Sequence, residues 1–195
     1  MAYCEYRLIL ASGSPRRREL LGKFGLPFEV IPAVGEEESA GSLSPGEYVK
    51  RLAAEKAREV YERVGDERAV LIAADTIVEL GGEILGKPKD RLDACRMLSM
   101  LSGNEHRVWS GVCVRQGQKV LTDNECTAVH FRPLSGDEIA AYADTGEPLD
   151  KAGAYGYQGI AGLFVDRISG DYFNVVGLPI CRLGQMLAQL GVKLL

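Results

Sequence analysis

A chain of 195 residues with 46% hydrophobic and 26% charged content has the balance of an ordinary globular protein and is long enough for one substantial core. No apolar run reaches the ~20 residues a membrane helix needs, and the opening MAYCEYR lacks the apolar stretch of a signal peptide, so one cytoplasmic domain is expected. The net charge of −4 excludes the broad basic field of non-specific nucleic-acid binding, and the five scattered cysteines lack any CxxC or Cys/His zinc spacing and are expected to be reduced and mostly buried.

The run Leu8 to Arg18, LILASGSPRRR, predicts a strand, a loop and a helix start. Ser14 suits the N-cap, Pro15 the first helical position, and Gly25 after Phe24 a stop. Arg16, Arg17 and Arg18 then occupy the first turn, where the helix dipole is already positive and each cation costs a few tenths of a kcal/mol to about 1 kcal/mol. An anion reverses that sign, because backbone N–H groups and guanidinium forks would point at one ligand, so a phosphate is expected here. A solvated basic helix end is the alternative. Pro27 to Pro32 reads as a short strand, and the acidic run Glu36, Glu37, Glu38 reads as a solvated loop unless it lies near the arginines, where a carboxylate could hold the divalent metal of a triphosphate.

Ser44-Pro45-Gly46-Glu47 has capping-box spacing and opens a helix to about Val64, with an apolar stripe of Val49, Leu52, Ala53, Ala57, Val60 and Val64. Lys56 falls on that stripe and either snorkels to solvent or projects into a polar cleft as a phosphate contact. Ala69 to Leu80 is the most strand-like run, and Asp75-Thr76 interrupts it; a carboxylate inside such a run marks a site. A Gly81-Gly82 hairpin turn would pair Leu80 with Glu83, Val78 with Leu85 and Thr76 with Lys87. Strict alternation would send Asp75 and Lys87 to opposite faces, so the ladder is expected to end or bulge near Gly86 and Pro88.

Asp90 caps a helix carrying Ala94, Cys95, Leu98 and Leu101, closed by Ser102-Gly103. Arg107 to Arg115 and Val120 to Phe131 alternate with period two around Gln116-Gly117-Gln118, a long hairpin in which His106 and His130 are ordinary strand residues. Ser135 and Glu138 form a second capping box. Gly146 to Gly162, GEPLDKAGAYGYQGIAG, is dense in glycine between aromatics, which permits close backbone approach to a ligand and predicts an ordered, site-forming loop. Leu163 to Ile168 and Tyr172 to Val176 read as a closing hairpin, and Leu178-Pro179 opens a last helix with Leu183, Leu187 and Leu190 facing the core.

Together, ASGSPRR at 11–17, EKA at 55–57, AADT at 73–76, GKP at 86–88, DKAGAYGYQG at 150–159 and GDYFNVVGLP at 170–179 resemble the Maf family of nucleoside triphosphate pyrophosphatases, proteins also named as septum-formation inhibitors. The resemblance runs nearly end to end. It implies an elongated α/β domain with a mixed, curved sheet, flanking helices and a central cleft between two lobes, similar to the inosine triphosphate pyrophosphatase fold. It also implies hydrolysis of a nucleoside triphosphate to the monophosphate and pyrophosphate, a divalent cation (magnesium, manganese or cobalt) and a homodimer. Position by position, Ser12, Arg16, Lys56 and Lys87 match the family's phosphate-handling residues and Asp75 its catalytic acid/base. Arg17, Thr76 and Gln158 match the markers of the branch acting on dTTP and UTP. Glu36 and Glu37 match the acidic pair, with Glu37 and Asp75 assigned to the metal.

The mechanism expected from these residues is attack of water on the α-phosphorus, with Asp75 orienting and deprotonating the water or binding the metal that does so. Gln158 offers an amide donor and acceptor to the edge of a uracil or thymine ring. Two other readings are hydrolysis of 7-methyl-GTP or another non-standard nucleotide, and a non-catalytic nucleotide-binding regulator of septum formation. Asp75 argues against the regulator, since a carboxylate among phosphate-binding cations weakens triphosphate affinity.

Overall fold

The computed structural model describes residues 6–35 and 39–192. In chain order the elements are β1 (Leu8–Leu10), α1 (Pro15–Gly22), β2 (Glu29–Val30), α2 (Pro45–Val64), β3 (Val70–Leu80), β4 (Glu83–Leu85), α3 (Arg91–Leu101), β5 (Glu105–Gln116), β6 (Lys119–Phe131) and α4 (Gly136–Asp144). Three 3₁₀ turns follow (Glu147–Asp150, Ala152–Ala154, Ile160–Leu163), then β7 (Val165–Ser169), α5 (Tyr172–Val176) and α6 (Ile180–Gln189). The fold is mixed α/β. One seven-stranded sheet runs in the order β2-β1-β3-β5-β6-β7, with β4 paired to β3. β1 lies parallel to both β2 and β3, whereas β3/β4 and β6/β7 are antiparallel.

Two compact units divide the chain, the first Met1–Asp75, Ser110–Glu125 and Gly177–Leu195, the second Thr76–Trp109 and Cys126–Val176. Each has its own core. In the first, Ile9, Ala11, Leu71 and Ala73 of the β1 and β3 segments pack with Ala53, Ala57 and Val60 of α2 and with Cys113 of β5. In the second, Val78, Leu98, Val108, Phe131, Tyr142 and Phe164 build a core rich in edge-to-face aromatic contacts, such as Tyr142 against Phe164 at 5.1 Å. Each fully buried aliphatic side chain contributes about 1.5–3 kcal/mol.

Local signals place the helix starts. Ser14 accepts from the Arg17 N–H, Ser44 from Glu47 and Asp90 from Asp93. The Ser135/Glu138 box closes in both directions, whereas Glu47 turns away to pair with Lys50 at 2.6 Å. The Gly81-Gly82 hairpin pairs Leu80 with Glu83 and Val78 with Leu85, and β4 ends there, so the ladder stops before Lys87 as the strand alternation demanded.

Three expectations are corrected. α1 ends at Gly22, and Gly25, at φ 68°, closes the turn that follows by donating to the Gly22 carbonyl. The closing hairpin does not form: β7 pairs instead with β6, and Tyr172–Val176 is the short helix α5. Asp171 accepts from the Phe173 N–H at 2.8 Å, and the buried Asn174 donates to the Val108 carbonyl and to Thr127 Oγ1, both at 2.9 Å. A strand would leave that buried amide without partners, at a cost of about 1–3 kcal/mol. Among the described cysteines only Cys113 is buried; Cys95 and Cys126 are half-buried and Cys181 is exposed.

Candidate active site

In the first unit, β1 delivers the chain into the loop before α1, where Ser12 is buried. Its Oγ accepts from the Ser14 N–H at 3.3 Å and from Arg17 Nη1 at 3.1 Å. The same Arg17 Nη1 donates to the Ala74 carbonyl and its Nε to the Gly177 carbonyl, each at 2.8 Å. A planar guanidinium serves divergent acceptors in this way where an ammonium cannot. Arg17 thereby ties the loop before α1 to β3 one residue before Asp75. Arg16 is half-buried on the same first turn, which carries no acidic residue.

α2 carries Lys56 to Asp75. The helix lies so close to β5 that a Cβ on Gly111 would stand 2.1 Å from the Val49 carbonyl oxygen, and only glycine permits that approach. Asp75 is 6% exposed in the middle of β3, and Lys56 Nζ donates to its Oδ1. The lysine on the apolar stripe therefore turns to a buried carboxylate rather than to solvent. The pair brings opposite charges together in a poorly solvated place, where removal of either leaves the other uncompensated. Glu37 lies outside the described residues.

The second unit begins at Thr76, half-buried on β3, and includes the exposed Lys87 beyond the end of β4. The loop 146–163 docks on these segments. The Gly153 N–H donates to the Gly86 carbonyl at 3.0 Å, beside Lys87, and a Cβ on Gly153 would meet Val78 Cγ2 at 2.8 Å. Gln158 is exposed on this loop. The glycines on either side of it approach the chain's own side chains: a Cβ on Gly156 would be 2.6 Å from Lys151 Cε and one on Gly159 2.1 Å from Glu147 Oε1.

Buried aromatic hydroxyls anchor the loop. Tyr155 Oη meets His106 Nε2 at 2.8 Å, and both rings pack against Phe131. Burial, reinforced by the charge of His130, lowers His106 from the ordinary imidazole value of 6.5 to about 4. The Tyr155 phenol is driven well above its usual range by burial. Tyr142 is raised as well, by burial first and then by its hydrogen bond to Glu147. His106, Glu147 and Tyr142 were not singled out by sequence. His106 alternates like its strand neighbours, and Glu147 shares no period with the residues it contacts.

Ser12, Arg17, Lys56 and Asp75 are linked in the first unit, while Thr76, Lys87 and Gln158 belong to the second. A mixed α/β protein with a half-buried lysine paired to a buried aspartate, one residue along β3 from a carbonyl held by an arginine of a helix start, is the class these features define. The chain belongs to the Maf-like protein family, which it matches over residues 7–190. It is 51% identical to a dTTP/UTP pyrophosphatase of Symbiobacterium thermophilum over 95% of this chain and 94% of that protein. Proteins of the same name from Thermococcus gammatolerans and Hahella chejuensis are 52% and 47% identical, covering 89% and 96% of this chain and 91% and 94% of theirs. Among solved structures, a nucleoside-triphosphatase / dITP/XTP pyrophosphatase from Mycobacterium abscessus is similar with a TM-score of 0.45 and 16% identity, over 94% of this chain and 98% of that one. No helix among the described residues is long and apolar enough to cross a membrane.

Proposed function

We propose that this chain is a nucleoside triphosphate pyrophosphatase that hydrolyses dTTP and UTP to the monophosphate and pyrophosphate. The observation that carries the reading is its near-complete alignment, at 47–52% identity, with relatives named dTTP/UTP pyrophosphatase. The pairing of half-buried Lys56 with buried Asp75 supports it chemically. In the proposed reaction a water oxygen bonds to the α-phosphorus, the bond from that phosphorus to the bridging oxygen breaks, and pyrophosphate departs. Asp75 orients the water and takes its proton. Lys56 offsets the carboxylate charge that would otherwise repel the triphosphate, and Ser12, Arg16 and Lys87 hold phosphate oxygens. Arg17 keeps Ser12 and the β3 backbone in register, Thr76 follows Asp75 at the substrate, and Gln158 reads the base edge.

A divalent cation would supply charge neutralisation on the phosphates, held by Asp75 and Glu37. Among the described residues no group of three His, Cys, Asp or Glu side chains forms a metal cage. A cation bound through one or two carboxylates and the substrate's own phosphates has no need of one, so the donor set fits magnesium or manganese. The proposal extends to a cytoplasmic homodimer acting on free nucleotides.

The test is pyrophosphate release from dTTP, UTP, CTP, GTP and 7-methyl-GTP with magnesium, manganese or cobalt, with Asp75→Asn as control. Asp75-dependent cleavage of dTTP and UTP ahead of the others is expected. Silence of the wild-type protein across the panel would overturn the reading, and cleavage of 7-methyl-GTP first would move it to the sister activity.

A further inference from the structure

Tyr157 and Gln158 sit between two glycines, each of which presses its backbone onto a charged side chain from the turn before it. Gly156 covers the Lys151 stem and Gly159 covers the Glu147 carboxylate. Lys151 is committed within this segment, since its Nζ donates to the Glu147 carbonyl at 2.5 Å and to Asp150 Oδ1 at 2.6 Å. The Glu147 carboxylate joins two elements. Its Oε1 accepts from Tyr142 Oη of α4 at 2.9 Å, and its Oε2 accepts from the Ile160 N–H, at the start of the last 3₁₀ turn, at 3.3 Å. The Glu147 N–H is itself fixed by Thr145 Oγ1 at 3.1 Å. Gln158 lies between those anchors, and its exposed side chain projects from a backbone that has little freedom left.

The conformation is imposed from outside the loop's own preferences. Ala154, a buried residue with a Cβ, is held at φ 61°, a left-handed conformation that costs of order 1–2 kcal/mol. Ordering of this kind counts in recognition, because a reader already in its bound geometry loses less entropy when the ligand arrives.

We propose that Glu147 is a specificity-positioning residue: its carboxylate, latched between Tyr142 and the Ile160 N–H and capped by Gly159, holds Gln158 in the geometry that distinguishes uracil and thymine from other bases. The inference rests on the reading of Gln158 as the base-contacting residue. Glu147 itself does not touch substrate.

Five variants of the full chain, four single and one double, separate the possibilities. Glu147→Ala removes both hydrogen bonds. Gly159→Ala drives a methyl into the carboxylate, which is the far end of a flexible side chain and swings aside at little cost to the fold. Gln158→Ala deletes the reader. Steady-state kinetics on dTTP, UTP and CTP, with a thermal melt of each variant, are the readout. The expected result is that Glu147→Ala and Gly159→Ala each raise KM for dTTP and UTP about 5- to 10-fold, with kcat altered less than about 3-fold, and narrow the dTTP/CTP preference by the same factor. Adding Gln158→Ala to Glu147→Ala should cost little more than Gln158→Ala alone, because both act through one contact. Glu147→Gln, which keeps an oxygen acceptor for the Ile160 N–H, should recover most of the preference. A melt that falls while the dTTP/CTP preference stays wild-type would make Glu147 merely structural and overturn the proposal. If Gln158→Ala itself leaves the preference unchanged, the base is read elsewhere and the latch has nothing to position, a failure distinct from the first. Gly159→Ala stands alone as the test if Glu147→Ala does not fold.

Discussion

The Arg17 junction and the Gln158 loop are stiffened by opposite means. At the junction a cation is held by neutral oxygens: Arg17 is shared among the Ser12 hydroxyl and the Ala74 and Gly177 carbonyls. In the loop the backbone that carries a neutral amide is backed by charges, with Glu147 and Lys151 beneath the glycines that flank Gln158. The difference teaches how each half fits its proposed ligand. A polyanionic phosphate chain needs donors fixed in place, and the hydroxyl and carbonyl oxygens that accept from Arg17 hold the helix start in register with β3. A uracil or thymine edge needs directional hydrogen bonding and no net charge, so charges can be placed behind the reader and paired there.

The largest effect expected is on the phosphate side. Asp75→Asn should fold and lose 10²- to 10⁴-fold in turnover on every triphosphate alike, because a positioned base serves the phosphorus and is blind to the nucleobase. Pyrophosphate release measured across dTTP, UTP and CTP checks this; a changed ranking among them would break the division between the halves.

Acid should test the loop side first. His106 is 1% exposed, and its titration falls to about 4 from 6.5. Between those values the unfolded chain binds a proton that the folded chain refuses. Stability is therefore complete above about pH 6.5, declines as pH falls toward 4, and changes no further through this group below that, a loss of roughly 3 kcal/mol in all. Glu29, Glu59 and Asp66 have lowered titrations, Glu29 through its hydrogen bond to Arg7, Glu59 through the Gly35 N–H and Asp66 through the Arg68 N–H. Their contribution is lost only as pH falls through the carboxylate range and below. Urea unfolding at pH 7 and pH 5 should show the His106 loss in wild type and its absence in His106→Phe, which instead leaves Tyr155 Oη without its partner at every pH. An equal slope in both proteins would remove His106 as the origin.

The smallest effect, and the sharpest, is Arg17→Lys. The charge survives while the fork that reaches the Ala74 and Gly177 carbonyls does not, so kcat/KM should drop about 10-fold for dTTP, UTP and CTP together. A fall confined to dTTP and UTP would give Arg17 a share in base choice and erase the contrast drawn above.

Sequence alone determined what is local. Ser14, Ser44, Asp90 and Ser135 started their helices because a cap bonds within three residues of itself. β3 and its glycine turn followed from an apolar run beside two residues that tolerate positive φ, and Asp75 stood out because a carboxylate has no place in such a run without a partner. The partner itself was half legible, as a lysine on an apolar stripe. Tertiary structure decided the rest. Tyr172–Val176 reads as a strand and is a helix because Asn174 finds Thr127 and Val108 far away in the chain. The loop glycines suggested close approach to a ligand, and the nearest neighbours at Gly153, Gly156 and Gly159 are Val78, Lys151 and Glu147. Arg17 revealed its charge in the sequence but not its carbonyl acceptors, and His106 nothing of its burial against Tyr155. Caps and periodicities are written in neighbouring residues because short-range hydrogen bonds satisfy them. The partner of a buried polar group is chosen only when distant segments close the space around it, and that choice leaves no pattern along the chain.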